Sequence, residues 1–128
     1  LIKALVSEPI AEVAQVTTPK PTTPQAAPKQ ATGNVEQIVR QAARKHGVDE
    51  NYAVQIAMCE STMNPNAVNT SYYENGNPSG LYQHISGYWP ARAAKYGYTG
   101  ASVFNAEANA NVTMAMWKDG AKGLWECN

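Results

Sequence analysis

The sequence predicts one small, mostly α-helical domain preceded by a disordered Pro/Thr-rich linker. Apolar residues recur at helical spacing in several stretches between residues 34 and 120, and no stretch has the alternation of a strand of useful length. Residues 1–33 contain five prolines and no aromatic residue, which favours extended, solvated backbone over a packed core. We therefore assign residues 1–33 to the linker and residues 34–128 to the folded domain.

The charge balance limits the kinds of ligand that the domain can bind. The 128 residues include 10 basic and 10 acidic side chains, which gives a net charge of zero. Nucleic acids and anionic membranes, which are held by bulk electrostatics, are therefore not expected as partners. Seven Tyr and three Trp against a single Phe offer apolar faces with polar edges, which suit sugars. We expect a monomer that binds by shape and hydrogen bonding.

The beginning of the chain does not have the pattern of a membrane span. Lys3, Glu8 and Glu12 interrupt a short apolar stretch, which is also not a complete signal peptide. We expect an export or anchoring segment to precede it. The linker would then tether the domain outside the membrane.

The first predicted helix runs from Asn34 to His46. Asn34 and Gln37 form a capping pair, and Gly47 supplies the C-terminal stop. A second helix follows after a single turn, so the two should pack as a helical hairpin. The apolar stripe of the first helix consists of Val35, Ile38, Val39 and Ala42.

The second predicted helix begins after the N-cap Asp49 and ends before residues 64–65, because proline restricts the residue that precedes it. Glu60 is the only ionisable group in its second half and lies on the face of Ala53 and Ala57. Partial desolvation raises the pKa of a carboxyl, so Glu60 is a candidate proton donor. The alternative is a structural Glu that is paired at a helix end.

The remaining elements are shorter, except for the last helix. Residues 67–80 are rich in Asn, Ser and Gly, and they predict a loop or a small hairpin around residues 74–77. A third helical patch covers residues 91–96. Asn105 caps the last helix, and Glu107 lies in its first turn, where the helix dipole favours an acid. Its apolar residues do not fit one stripe, so we expect it to be buried on more than one side.

Four segments, in this order, resemble the soluble lytic transglycosylases, which share their fold with goose-type lysozymes. Residues 60–67, ESTMNPNA, resemble the E-S-x-x-N-P-x-A motif, and residues 80–83, GLYQ, resemble G-L-x-Q. Residues 105–109, NAEAN, are similar to the D-P-E-A-N helix start. Residues 123–127, GLWEC, resemble the C-terminal W-x-C closure of secreted actinobacterial-type members, including the resuscitation-promoting factors.

The resemblance implies a lysozyme-like domain that binds peptidoglycan glycan strands, at the cell wall or outside the cell. Glu60 matches the single acid of the family. That acid protonates the glycosidic oxygen and then, as a base, deprotonates the muramoyl C6 hydroxyl, which gives a 1,6-anhydro end. No cofactor is implied.

The resemblance also implies roles for other residues. Ser61 would connect the helix end to residues 80–83, and the alternative is a simple hydrogen bond at the helix end. Gln83 would bind substrate, for example at an N-acetyl group, and the alternative is a structural amide. Asn109 would be either a structural hydrogen-bonding residue or a sugar ligand. The candidate sugar platforms, of which we expect about half in the core, are Tyr72, Tyr73, Tyr82, Tyr88 and Trp89.

The two cysteines, Cys59 and Cys127, allow more than one interpretation. The resemblance favours a disulfide, which implies an extracytoplasmic location, over two buried free thiols. A zinc site that also uses His46 and His84 would have suitable ligand types. These residues lack the short-spaced pairs typical of such sites, so we expect no metal.

Two alternative functions remain open on the sequence. Hydrolysis of the lysozyme type needs a second carboxylate, for which Glu74 is the candidate; the alternative is that Glu74 is a solvated loop residue. A non-catalytic wall-binding module could keep the groove without the chemistry. The chain also departs from the enterobacterial pattern at residues 118–122, which replace an A-Y-N-x-G segment, so no tyrosine role can be transferred from that segment.

Overall fold

A computed structural model describes residues 32–71, 73–125 and 127. The mostly helical prediction is confirmed. Of the predicted linker, only Thr32 and Gly33 fall within the described residues, and they form the start of the first helix. The elements of the described chain are α1 (Thr32–His46), α2 (Glu50–Ser61), β1 (Pro78–Ser79), β2 (His84–Ile85), α3 (Trp89–Lys95), α4 (Ala106–Lys118) and a 3₁₀ turn (Lys122–Leu124).

Helix α4 forms the centre of the core. Its side chains are buried on several faces, as the lack of a single apolar stripe predicted. Helix α1 packs along α4 and also against α2, which confirms the predicted pairing of the first two helices. The side-chain oxygen of Asn105 accepts a hydrogen bond from the amide of Ala108 at 2.9 Å, which is the predicted N-cap. Helix α4 is therefore the fixed support on which the other elements rest.

Helix α1 begins at Thr32, two residues before the predicted start, so Asn34 lies inside the helix and is not its cap. Its end is as predicted. Gly47 has a φ of +70° and follows the last helical residue. The amide of Val48 bonds to the carbonyl of Ala43 at 2.8 Å, which satisfies a carbonyl of the last turn in a Schellman motif.

Helix α2 begins after Asp49, whose carboxylate accepts a hydrogen bond from the amide of Tyr52 at 2.8 Å. It ends at Ser61, three residues before the predicted boundary, because Thr62 and Met63 both adopt left-handed backbone conformations. Their φ angles are +58° and +64°. The proline at residue 65 therefore marks the latest point at which the helix could end, and the actual end is earlier.

The segment between α2 and α3 contains a small hairpin, but its turn lies at residues 80–83 and not at residues 74–77, where it was predicted, because Gly80 and Gln83 supply the left-handed backbone conformations of the turn. Strands β1 and β2 pair in antiparallel register, with Pro78 opposite Ile85 and Ser79 opposite His84. An isolated bridge between Val68 and Ser79 adds the incoming chain to this ribbon. Each strand has only two residues, which explains why the sequence carries no strand periodicity.

Candidate active site

Glu60 is the penultimate residue of α2 and is half-buried. The residues that precede it on the same helix face, Ala53, Ile56 and Ala57, are buried in the core. Glu60 therefore lies at the end of the helix, on the side that carries these buried residues, and it is partly exposed.

The backbone turns sharply just after Glu60. Thr62 donates its amide proton to the carbonyl of Met58 at 2.9 Å, and Met63 donates to the carbonyl of Ala57 at 3.3 Å. Two consecutive non-glycine residues in the left-handed region are uncommon and cost free energy. Burial of Met63, which is 3% exposed, helps to hold this turn. The end of α2 therefore has a defined conformation.

Ser61 connects this helix end to the segment of residues 80–83. Its hydroxyl lies 2.8 Å from the carbonyl oxygen of Leu81 and 3.2 Å from that of Ala57. It also accepts a hydrogen bond from the amide of Asn64 at 3.1 Å. The link that the resemblance implied between the two motifs is present, and the hydroxyl also serves the helix end itself.

The segment of residues 80–83 is a tight turn packed on α4. Gly80 has a φ of +81°, and a Cβ at this position would clash with the carbonyl of Val103 and the side-chain amide of Asn109. Only glycine suits this position. Gln83, with a φ of +58°, donates its side-chain amide to the carbonyl oxygens of Gly80 at 2.9 Å and Ala67 at 3.3 Å. Its side-chain carbonyl oxygen accepts no hydrogen bond from the described residues.

The prediction of exposed sugar platforms is wrong for Tyr82 and Trp89, because both side chains are buried. Tyr82 is 0% exposed and donates its hydroxyl to the carbonyl of Ala53 at 2.6 Å. Trp89 is 4% exposed and donates its indole N–H to the carbonyl of Ala101 at 2.7 Å. Both rings belong to the core, because these polar edges find main-chain acceptors inside the domain.

Asn109 is also fully buried, and its role is structural. Its side-chain oxygen accepts a hydrogen bond from the amide of Tyr82 at 2.9 Å, and its side-chain nitrogen donates to the carbonyl of Val103 at 2.9 Å. The interpretation of Asn109 as a sugar ligand is therefore wrong, and Asn109 is a structural hydrogen-bonding residue. It fixes the turn of residues 80–83 on α4.

Tyr73 and Tyr88 remain at the surface, each half-buried, whereas Tyr72 lies outside the described residues. The hydroxyl of Tyr88 accepts a hydrogen bond from the side-chain amide of Asn75 at 2.7 Å. Asn75 also accepts the amide proton of Gly87 at 2.8 Å through its main-chain carbonyl. The loop that carries the exposed Glu74 is thereby fastened to the residues just before α3.

A disulfide joins Cys59 to Cys127, with the two Cα atoms 6.0 Å apart. The predicted pairing is present, and it connects the end of the chain to the residue before Glu60. The indole N–H of Trp125 donates to the carbonyl of Tyr82 at 2.7 Å, so the same C-terminal segment is also fixed to the core. Because both sulfurs are used in the disulfide, they are not available for the zinc site considered above. Among the described residues no cluster of His, Cys, Asp and Glu side chains is arranged to hold a metal ion.

A buried polar network around His84 had no signal in the sequence analysis. Thr113 donates its hydroxyl proton to the carbonyl of Asn109 at 2.7 Å, so its oxygen accepts from Nε2 of His84, also at 2.7 Å. The guanidinium of Arg92 donates to Nδ1 of His84 at 3.0 Å. These partners fix a neutral imidazole that carries its proton on Nε2. Burial, and then the nearby charge of Arg92, lower the pKa of His84 well below its usual value.

The family model of the Transglycosylase SLT domain matches residues 37–126. This chain belongs to the Transglycosylase SLT domain family. The match begins within α1, covers α2, both strands, α3 and α4, and includes Glu60 and the turn of residues 80–83. No curated protein and no solved structure matches the chain.

Membership of the SLT family indicates the general class of function. The family model indicates a lytic-transglycosylase-type, lysozyme-like enzyme whose substrate is peptidoglycan. Peptidoglycan lies in the extracellular or periplasmic space, so the domain is expected to work there. Within the described part of the chain no helix is long and apolar enough to cross a membrane.

Proposed function

We propose that this SLT domain cleaves peptidoglycan glycan strands between N-acetylmuramic acid and N-acetylglucosamine without consuming water, with Glu60 as the only acid and base. The observation that carries the proposal is the position of Glu60. It is a half-buried carboxyl at the end of α2, next to the Ser61–Leu81 link and within the residues that match the family.

The proposed reaction proceeds in two proton transfers through one side chain. Protonated Glu60 donates its proton to the glycosidic oxygen as the bond between that oxygen and muramoyl C1 breaks. The C6 hydroxyl of the same muramoyl residue then bonds to C1, and its proton passes to the Glu60 carboxylate. The products are a free glucosaminyl hydroxyl and a 1,6-anhydromuramoyl end, and Glu60 is again protonated.

The apolar face behind Glu60 supports its role as an acid. Ala53, Ile56 and Ala57, which precede Glu60 on the same face of α2, are buried in the core. A proton donor must hold its proton near the working pH, and partial desolvation is the usual means. The rigid turn after Ser61 would keep the carboxyl in a fixed orientation while substrate binds.

The groups proposed to bind substrate are Gln83, Tyr73 and Tyr88. The side-chain oxygen of Gln83 is an acceptor that an acetamido N–H could use, because its amide nitrogen is already engaged. The partly exposed rings of Tyr73 and Tyr88 offer faces on which sugars stack. Ser61 is proposed to act indirectly, through the position of the helix end.

The hydrolytic alternative requires a second carboxylate, for which Glu74 is the candidate. Glu74 is exposed on a loop that is fastened through Asn75 to Tyr88. If Glu74 is a nucleophile, its carboxyl has to lie about 5 Å from that of Glu60. If it is a base that activates water, the separation has to be about 6.5–9.5 Å. A wall-binding module without activity is the remaining alternative.

The tether and the location are part of the same proposal. A formed disulfide at Cys59 and Cys127 suits an oxidising compartment. We propose that residues 1–33 act as a spacer between an export or anchoring segment and a monomeric, cofactor-free catalytic domain. The W-x-C segment of residues 123–127 supports a relation to the secreted actinobacterial-type members.

The experiment is digestion of purified peptidoglycan in heavy-oxygen water, followed by mass spectrometry of the released fragments. Anhydro ends without label support the proposal. Reducing ends that carry heavy oxygen identify a hydrolase and contradict the water-free mechanism, and their loss in Glu74→Gln would assign the second carboxylate. Binding to peptidoglycan without any release of fragments would identify a binding module.

A further inference from the structure

Gln83 is the residue of its segment that reaches the surface. Within residues 80–84 every other residue is buried, whereas Gln83 is half-buried. The segment is also linked to the residue after Glu60, because the hydroxyl of Ser61 lies 2.8 Å from the carbonyl oxygen of Leu81. The backbone around Gln83 therefore sets the position of the one side chain of this segment that a ligand can reach.

The backbone conformation of Gln83 is strained. Its φ of +58° lies in the left-handed region, which is unfavourable for a residue that carries a Cβ. If the peptide unit between Tyr82 and Gln83 rotated by about half a turn, φ would return to the broad extended region. Other contacts must therefore hold this peptide unit in its observed orientation.

Both polar groups of that peptide unit are hydrogen-bonded. The amide of Gln83 donates to the carbonyl of Gly80 at 3.1 Å, within the turn itself. The carbonyl oxygen of Tyr82 accepts the indole N–H of Trp125 at 2.7 Å, from a residue 43 positions later in the chain. The hydrogen bond of Trp125 therefore connects this peptide unit to the C-terminal segment and opposes its rotation.

Trp125 is itself fixed in the core. It is 6% exposed, and its ring packs edge-on against Trp117 and His84, with centroid distances of 5.9 and 5.5 Å. Tyr82 is fully buried, so water cannot easily replace the indole donor. Without this N–H the carbonyl of Tyr82 would be a buried acceptor that has lost its donor, which is unfavourable. The hydrogen bond therefore favours the observed orientation over the rotated one.

The disulfide holds the same C-terminal segment next to the proposed acid. Cys127 follows Trp125 by two residues and is joined to Cys59, which directly precedes Glu60. The C-terminal segment therefore contacts both the helix end that carries the acid and the turn that carries Gln83.

We propose that Trp125 is a positioning residue for Gln83. Its indole N–H keeps the peptide unit between Tyr82 and Gln83 in the strained orientation, and this orientation sets the direction in which Gln83 presents its side-chain oxygen to an N-acetyl group. The inference rests on the proposed function, because it takes Gln83 as a ligand of the substrate. Loss of the indole N–H should weaken substrate binding and leave the proton transfer at Glu60 unchanged.

The test measures kcat and KM separately on soluble glycan strands. In Trp125→Phe we expect KM to rise about fivefold, which is the scale of one net hydrogen bond, and the pH profile of kcat to stay that of the wild type. Trp89→Phe is the matched control, because the indole N–H of Trp89 also donates to a main-chain carbonyl at 2.7 Å, but to that of Ala101. This control should keep the wild-type KM. A purely structural role of Trp125 would lower the folded fraction, and with it the apparent kcat, at an unchanged KM, and this result would overturn the inference.

A ring of the same shape keeps the test decisive if Trp125→Phe does not fold. Benzothienylalanine in place of Trp125 carries sulfur where indole carries its N–H, so the packing is preserved and only the donor is lost. We expect the same rise in KM. A wild-type KM for this variant would overturn the inference.

A double-mutant cycle tests whether Trp125 acts through Gln83. Gln83→Ala should raise KM, and adding Trp125→Phe to it should raise KM no further, because the two changes remove one contact. Additive effects, or a wild-type KM for Gln83→Ala, would overturn the inference. If the wild type binds glycan strands without cleaving them, the proposed function fails, and the comparison of Trp125→Phe with Trp89→Phe by Kd still tests the inference.

Discussion

Acidification should destabilise the folded domain through His84 before it affects the carboxylates. His84 is 1% exposed, and its ring nitrogens are bound by Thr113 and by the cationic Arg92. Protonation would place an N–H on Nδ1 directly against a guanidinium. The folded state therefore keeps His84 neutral, whereas the unfolded chain protonates the same residue at its usual pKa of 6.5.

The sign and size of the effect follow from this difference. Below the unfolded pKa the unfolded chain binds one proton that the folded chain does not, so the free energy of unfolding falls as the pH falls. Between pH 7 and about pH 5.5, one fully shielded His contributes a loss of about 1.3 kcal/mol. Burial is the largest cause that lowers the pKa of His46, so His46 also reduces the free energy of unfolding as the pH falls. The pKa of Glu50 is lowered by its hydrogen bond to Arg44, so its contribution is lost only in more acidic solution, below the usual value of 4.5.

The assay is urea unfolding of the wild type, His46→Gln and His84→Gln at the two pH values. The wild type and His46→Gln should both lose about 1 kcal/mol or more on acidification, and His84→Gln should lose clearly less, although it starts from a lower stability. Nitrogen chemical shifts of the wild type at the lower pH should show a neutral His84 with its proton on Nε2. A fully protonated His84 in the folded domain, or an unchanged stability of His46→Gln between the two pH values, would refute the reasoning.

Three further predictions concern the scaffold of the site. Cys127→Ser, which opens the disulfide, should lower the free energy of unfolding by about 4 kcal/mol, because the disulfide closes a loop of 68 residues between Cys59 and Cys127. A loss below about 1 kcal/mol relative to the oxidised wild type would contradict this. Ser61→Ala should lower the free energy of unfolding in urea by about 1–3 kcal/mol, because the buried carbonyl of Leu81 loses its hydrogen-bond donor. An unchanged stability would mean that this hydrogen bond does not stabilise the fold. Gly80→Ala should lower the free energy of unfolding by more than about 2 kcal/mol, because the Cβ would clash and the positive φ at this position is unfavourable for alanine. A melting temperature equal to that of the wild type would contradict this.

The helices were predictable where the signal is local. Asp49 and Asn105 are side-chain caps that act within three residues, and Gly47 is a stop at the position where α1 ends. The end of α2 was predicted too late, because proline only limits a helix from outside. Thr62 and Met63 leave the helical conformation earlier, and this departure is visible only with the tertiary packing of Met63.

For the proposed site, the sequence predicts the position of Glu60 along the chain but not which of the nearby aromatic rings are exposed. A motif fixes where Glu60 lies along the chain, but it does not fix whether a nearby aromatic side chain points inward. Tyr82 points into the core because Asn109, 27 residues later, holds its amide, and Trp89 does so because Ala101 accepts its indole N–H. The His84 network was missed for the same reason. Its partners lie 8 and 29 residues away and leave no local pattern.

The most direct test of the account is the rate at which Glu60→Gln releases soluble fragments from purified peptidoglycan. Glu107→Gln is the matched control, because Glu107 is an exposed helical glutamate in the first turn of α4. We expect Glu60→Gln to lose at least about 10²-fold in rate, the usual scale for a proton donor, while Glu107→Gln keeps the wild-type rate. A folded Glu60→Gln that releases fragments as fast as the wild type would contradict the assignment of Glu60 as the acid.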